Sequence, residues 1–246
     1  MVDILFAKTF LIVGGMLFLT AVTAKFNRFF ETSFEMWSTF IISFLLLFLI
    51  LGFSNDYPLN LILVAAFSLV IGWLIGPAIE RFGMRYKLRM YLKSNGIILK
   101  KGESATAKQM EEFEKSFDKD AYHKEWQNII FQAVMGTALA VVVTASIVFL
   151  TDIDFSFLGG YLFISLIILI IMGLINIFFI RSKLFSLIRA YLGALVFTLY
   201  LLYDFNNLQS KSGDESWSTA INISVNLYLD IINLFLDLLE ILSESN

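Results

Sequence analysis

Seven stretches of nearly unbroken apolar sequence, each roughly as long as a membrane is thick, limit what this chain can fold into. A hydrocarbon layer about 30 Å deep takes about 20 residues of α-helix to cross. That ruler divides the chain at Lys8–Phe26, Met36–Phe53, Leu59–Ile79, Asn128–Leu150, Phe157–Ile180, Leu184–Tyr203 and Ala220–Leu242. Lipid offers no water to backbone N–H and C=O groups, so such runs are helices or strands of a closed barrel, and their length and continuous apolarity select helices. With 58% hydrophobic residues and a mean hydropathy of +0.78, the chain lacks the polar side chains to cover a soluble exterior. The expected fold is therefore all-α and integral to the membrane, a seven-helix bundle forming one membrane domain over residues 1–246. Short connections, among them "SNDYP" with Pro58 and "TDID" with Asp152 and Asp154, make sequential helices antiparallel neighbours. The first apolar run starts almost at once and is followed by no small-residue cleavage site, so no cleavable signal is expected.

Composition excludes several functions. The chain has no cysteine, which removes disulfides, thiolate zinc sites and thiol catalysis. A net charge of -3 gives no electrostatic footprint for nucleic acid. There is no glycine-rich phosphate loop and no paired-histidine metal motif, and the single histidine, His123, reads as a solvated surface residue. An enzyme is not expected, nor a resident cofactor.

One segment cannot enter lipid. Residues 81–127 hold eleven Lys and Arg and seven Asp and Glu, and read as an extramembrane insert between the third and fourth spans. Its second half has helical spacing, with Ser104 or Thr106 as cap and Met110, Phe113 and Phe117 on one side. Taking alternating sides, sixteen basic residues fall with the insert, Lys25, Arg28 and the Arg181–Arg189 region, against Lys8 and Lys211 on the other. The positive-inside rule then places the insert and C-terminus in the cytoplasm and the N-terminus outside.

Ionisable groups inside spans are costly and are functional candidates by default. On a helix of 3.6 residues per turn, Asn226, Asp230, Asn233, Asp237, Glu240 and Glu244 fall on one narrow stripe of the last span. A helix lying on the membrane surface would carry a broader, basic polar face; this acidic stripe suits a helix inside the bundle facing a hydrated cavity. Asp204 in "LYLLYDFNNL" closes the sixth span, and a loop of about 16 residues returns the chain toward Asp230. Two carboxyls that meet cannot cheaply both ionise, so they would share a proton and titrate as a unit. Asp204 can also be read as a loop acid in headgroup water. Gly72 and Gly76, and Gly159 with Gly160, read as close helix packing. Pro77 with Glu80 reads either as a kink aiming an acid at the cavity mouth or as an ordinary helix end.

The segments "LYLLYDFNNL", "LYLDIINLFLDLL" and "DFSFLGGYLFISLIILIIMGLINIFF" resemble the transmembrane Bax inhibitor motif family, also called the Bax inhibitor-1 family, and the first and fourth spans fit its corresponding helices. The resemblance implies seven helices with the last surrounded by the other six, in a bacterial inner membrane. It implies a pH-sensitive calcium leak whose proton-sharing latch maps onto Asp204 and Asp230, which would also make transient calcium contacts. Asn233, Asp237, Glu240 and Glu80 become candidates for the cation pathway. The chain departs from the family in lacking basic residues before the third span ("SNDYPLN"), in having Asp237 where a neutral amide is common, and in its long insert. Bacterial relatives are also expected to face the opposite way to the charge count, which is followed here because it rests on Lys25, Arg28, Arg181 and Lys183 in short connections as well.

Three functional readings result. The first is the proton-gated calcium leak, its partners being the lipid bilayer, calcium and protons. The second is a regulator that binds another membrane protein, such as a membrane protease, through the insert. The third, more remote, is an intramembrane aspartyl protease, which would want a Gly-x-Gly-Asp motif where Asp230 is preceded by "LYL".

Overall fold

The computed structural model describes residues 3–100, 103–118, 121–151 and 153–245; Asp152 of the "TDID" connection lies outside them. Eight α-helices follow in order: α1 (Ile4–Phe26), α2 (Ser33–Gly52), α3 (Leu59–Ser94), α4 (Ala107–Ser116), α5 (His123–Leu150), α6 (Leu158–Ile175), α7 (Lys183–Ser210) and α8 (Trp217–Ser245). A π-helical turn, Asn176–Ile180, extends α6. There is no strand among the described residues. Among the described residues six helices, α1, α2, α3, α5, α6 with its π turn, and α7, are long and apolar enough to cross a membrane. The chain is thus a multi-pass integral membrane protein. The seventh expected span corresponds to α8, which differs in kind: among its described residues Asn226 alone is exposed.

Three boundaries differ most from expectation. The third span does not stop near Ile79, because α3 runs through Pro77 for 36 residues and takes the first part of the insert into the same helix. The sixth does not stop at Tyr203, since α7 continues to Ser210 and leaves only Lys211–Ser216 before α8. The fourth starts early, at an exposed His123 whose ring meets Gln127 Nε2 at 3.0 Å.

The described residues divide into two compact units. One comprises those of Met1–Glu80, Thr144–Ser156 and Leu201–Asp230; the other those of Arg81–Val143, Phe157–Tyr200 and Ile231–Asn246.

In the first unit, α3 passes through its proline because a neighbour repairs the break. Pro77 has no N–H for the carbonyl of Trp73, one turn earlier; Asn27 Nδ2, at the end of α1, donates to that carbonyl at 2.8 Å instead. The same contact explains Gly72 and Gly76. A Cβ at Gly76 would lie 1.9 Å from the backbone oxygen of Asn27, and one at Gly72 would lie 1.9 Å from Thr23 Oγ1. The expected packing role holds for these two glycines, but fails for Gly160, which has open space around it. Thr20 Oγ1 donates to Ser68 O at 3.0 Å and lies 2.6 Å from Tyr228 Oη, so α1, α3 and α8 meet at one polar knot. Asp3 caps α1 through Oδ1 (Leu5 N at 2.8 Å), and its Oδ2 accepts from the Ser212 hydroxyl and from Gly213 N at 3.1 Å.

In the second unit, the insert is a folded layer. Thr106 caps α4 in a reciprocal capping box with Gln109. Phe113 packs with Leu88 and Leu92 of the α3 extension, flanked by Tyr91 and Phe117. Met110, expected beside them, is exposed.

Two outcomes are expected. Asn27→Ala leaves the Trp73 carbonyl unsatisfied and costs about 1–3 kcal/mol in thermal unfolding of the detergent-purified protein. The Ser212 hydroxyl, ahead of the backbone amides, holds the Asp3 carboxyl below its usual 3.8. A lowered acid stabilises above its unfolded value and loses that contribution as the pH falls, so protection of the Gly213 amide from hydrogen exchange should decline as the pH drops through and below 3.8.

Candidate functional site

Asp204 lies not at a helix end but six residues before the end of α7, and Asp230 fourteen residues into α8. They are 3% and 7% exposed, which removes the reading of Asp204 as a loop acid in headgroup water. Leu201, Phe205 and Leu208 on α7 and Leu227 and Tyr228 on α8 are almost fully buried around them in sequence, so the setting is dry. The two side chains hydrogen-bond to each other. An ionised carboxyl has no donor, so this bond requires one of the two to be in its acid form. Asp230 Oδ2 has no hydrogen-bond partner among the described residues. Asn206, two residues on from Asp204, fixes the end of α7: its Nδ2 donates to Asp154 Oδ1 at 3.1 Å and its Oδ1 accepts from Phe155 N at 3.1 Å. The Lys211 charge is the one that reaches Asp204. Chemically, such a pair can tie two helices through a shared proton, and without it would set two anions side by side.

The second unit holds a different arrangement of acids. Asp237 and Glu240 of α8 are 2% and 4% exposed. One nitrogen of Arg189, on α7, reaches both, at 3.3 Å from Asp237 Oδ1 and 3.4 Å from Glu240 Oε2. The Ser186 hydroxyl donates to Glu240 Oε1. Ser186, Arg189 and Gly193 recur at intervals of three and four, which puts them on one face of α7. Gly193 leaves room there: a Cβ would lie 2.1 Å from Asp237 Oδ2, so the carboxylate would have to shift. Arg89 pairs with Glu244 and also donates to the carbonyl of Leu99 at 3.2 Å.

The remaining candidates are placed more loosely. Asn233 and Glu80 are half-buried, and their side chains make no hydrogen bond or ion pair among the described residues. Asn226, expected on the stripe, is exposed. No group of three or more His, Asp or Glu among the described residues is arranged to hold a metal ion. Sequence reading missed Ser186, Arg189 and Gly193 as site residues. Their shared spacing was the available signal, but Arg189 entered only as a charge in the topology count. Gly193→Ala should push Asp237 off Arg189 and cost about 1–3 kcal/mol in thermal unfolding.

The family described as inhibitor of apoptosis-promoting Bax1 matches residues 121–246, which hold both sets of acids. The Golgi anti-apoptotic protein of Vaccinia virus (strain Lister) is 41% identical over 119 residues, 48% of either chain. Protein LIFEGUARD 1 of Arabidopsis thaliana is 42% identical over 90 residues, 37% of either chain. The match thus spans about half or less of these relatives' length. An uncharacterized protein of Campylobacter jejuni is 28% identical over 225 residues, 92% of this chain and 79% of that one.

Proposed function

The chain belongs to the Bax inhibitor family, and on that footing we propose that it is a pH-sensitive cation leak, with calcium as its cargo, gated by the proton that Asp204 and Asp230 share. The observation that supports this reading is the hydrogen bond between two buried carboxyls on neighbouring helices. With the proton in place, α7 and α8 are tied. Without it, two anions face each other in a dry setting, and the repulsion parts the helices and turns hard oxygen ligands toward a passing cation.

Asn233, Asp237, Glu240 and Glu80 are the candidates for the rest of the path. We take α8 as the central helix of seven, because Asn226 is the one residue it exposes among those described. The Campylobacter relative supports a bacterial inner membrane, and the charge count supports a cytoplasmic insert. The pair also resembles a protease dyad, but Asp230 follows Leu227, Tyr228 and Leu229 rather than a Gly-x-Gly turn, which favours a conduit over an enzyme. One feature favours a second role as a regulator of another membrane protein: Ile98, in the insert, is an 80% exposed apolar side chain.

Reconstitution in liposomes tests the leak. Calcium flux should rise with pH, by no more than about tenfold per pH unit for a single proton. Asp204→Asn and Asp230→Asn should flatten that profile. A profile that is unchanged in both variants overturns the gate.

A further inference from the structure

We propose that Asp237 and Glu240 form a second cation site, separate from the aspartate pair, and that the Arg189 guanidinium occupies it as a tethered counter-ion. The side chains of Asp237 and Glu240 are 3% and 6% exposed, while that of Arg189 is 28% exposed. Charges this dry persist only beside an opposite charge. The fit of Arg189 is nevertheless that of a point charge. A matched Arg–carboxylate pair is a fork of two parallel bonds at about 2.7–2.9 Å. Here a single nitrogen bridges oxygens of two different carboxylates at 3.3 and 3.4 Å. That nitrogen stands where a free ion shared by both acids would stand.

Two further features point to a ligand of that kind. Asp237 Oδ2 is buried and has no hydrogen-bond partner among the described residues, so one ligating oxygen is unused. It is turned toward Gly193, the residue whose missing side chain makes room for it. The Ser186 hydroxyl on Glu240 adds a third oxygen once it rotates. Two carboxylates and a hydroxyl are a hard set that suits a divalent cation such as calcium or magnesium. The charge of Arg85 also bears on Glu240 and opposes a second cation, and Arg89 is engaged by Glu244. With two acids and that opposition, the free site falls at the weak end for oxygen ligands, about 10⁻⁴ to 10⁻³ M.

The site extends the cation-leak reading, but its test does not depend on flux. The full chain is purified in detergent in the Asp204→Asn/Asp230→Asn background, so that binding at the pair cannot contribute, and thermal unfolding is followed against calcium chloride. With Arg189 present the midpoint should respond far less, because the ion must first displace the guanidinium. Arg189→Gln should start lower and climb with the logarithm of calcium concentration above Kd, by about 5 °C at a hundredfold excess over Kd. Adding Asp237→Asn to Arg189→Gln should abolish the climb. Should Arg189→Gln fail to fold, Arg189→Lys keeps a looser tethered cation and should show a smaller climb that begins at higher calcium. No calcium-dependent climb in the variant that folds, or a climb that survives Asp237→Asn, overturns the proposal. A climb together with pH-independent flux would keep this site and sink the aspartate gate.

Discussion

A carboxylate held out of water must lose its charge or have it balanced, at a cost of several kcal/mol if it does neither. Helix α8 buries Asp230, Asp237, Glu240 and Glu244 along one stretch of sequence. The described structure meets the requirement in two ways. Asp230 faces another acid, Asp204, and the hydrogen bond between them needs a proton on one of the two. Asp237, Glu240 and Glu244 face arginines. Replacing these acids by apolar residues would relieve the cost altogether, so their retention on a helix that exposes almost nothing is a reason to look for function there rather than in the apolar helices around the chain.

The scaffold that positions the aspartate pair is itself built from local repairs. Helix α3 keeps going past Pro77 because Asn27 satisfies the carbonyl that proline strands, and the approach this needs is open only because Gly72 and Gly76 carry no side chain. The polar knot of Thr20, Ser68 and Tyr228 then joins α1 and α3 to α8 two residues before Asp230. Each contact satisfies a polar group that lipid cannot, which is why it can fix a helix against its neighbour where apolar packing alone gives little preference over lipid.

Most of the helices were legible in the sequence because their length answers to one physical dimension, the depth of the hydrocarbon layer. Asp204 and Asp230 were legible for a related reason: acids in such runs are conspicuous, and the motifs around them resemble a known family. Helix ends were not. The ruler measures lipid, and α3 and α7 both extend into sequence polar enough to look like loop, "RFGMRYKLRMYLKS" and "DFNNLQS". Pro77 read as an end because its partner, Asn27, is fifty residues away. Arg189 was hidden by its own charge, since a lysine or arginine near a span boundary is first evidence of orientation, and only the facing helix shows that it is paired.

The two kinds of neutralisation also differ in what can disturb them. A shared proton answers to pH and to nothing else at comparable strength. An arginine between two acids instead balances charge with charge, and the two carboxylates it reaches are buried. What can displace Arg189 is another cation that satisfies both carboxylates better than one nitrogen at 3.3 and 3.4 Å does. A divalent ion is the competitor that the proposed second site would admit. On that proposal the acids of α8 divide by partner: Asp230 faces another acid, whereas Asp237 and Glu240 share a positive charge that the chain supplies from Arg189.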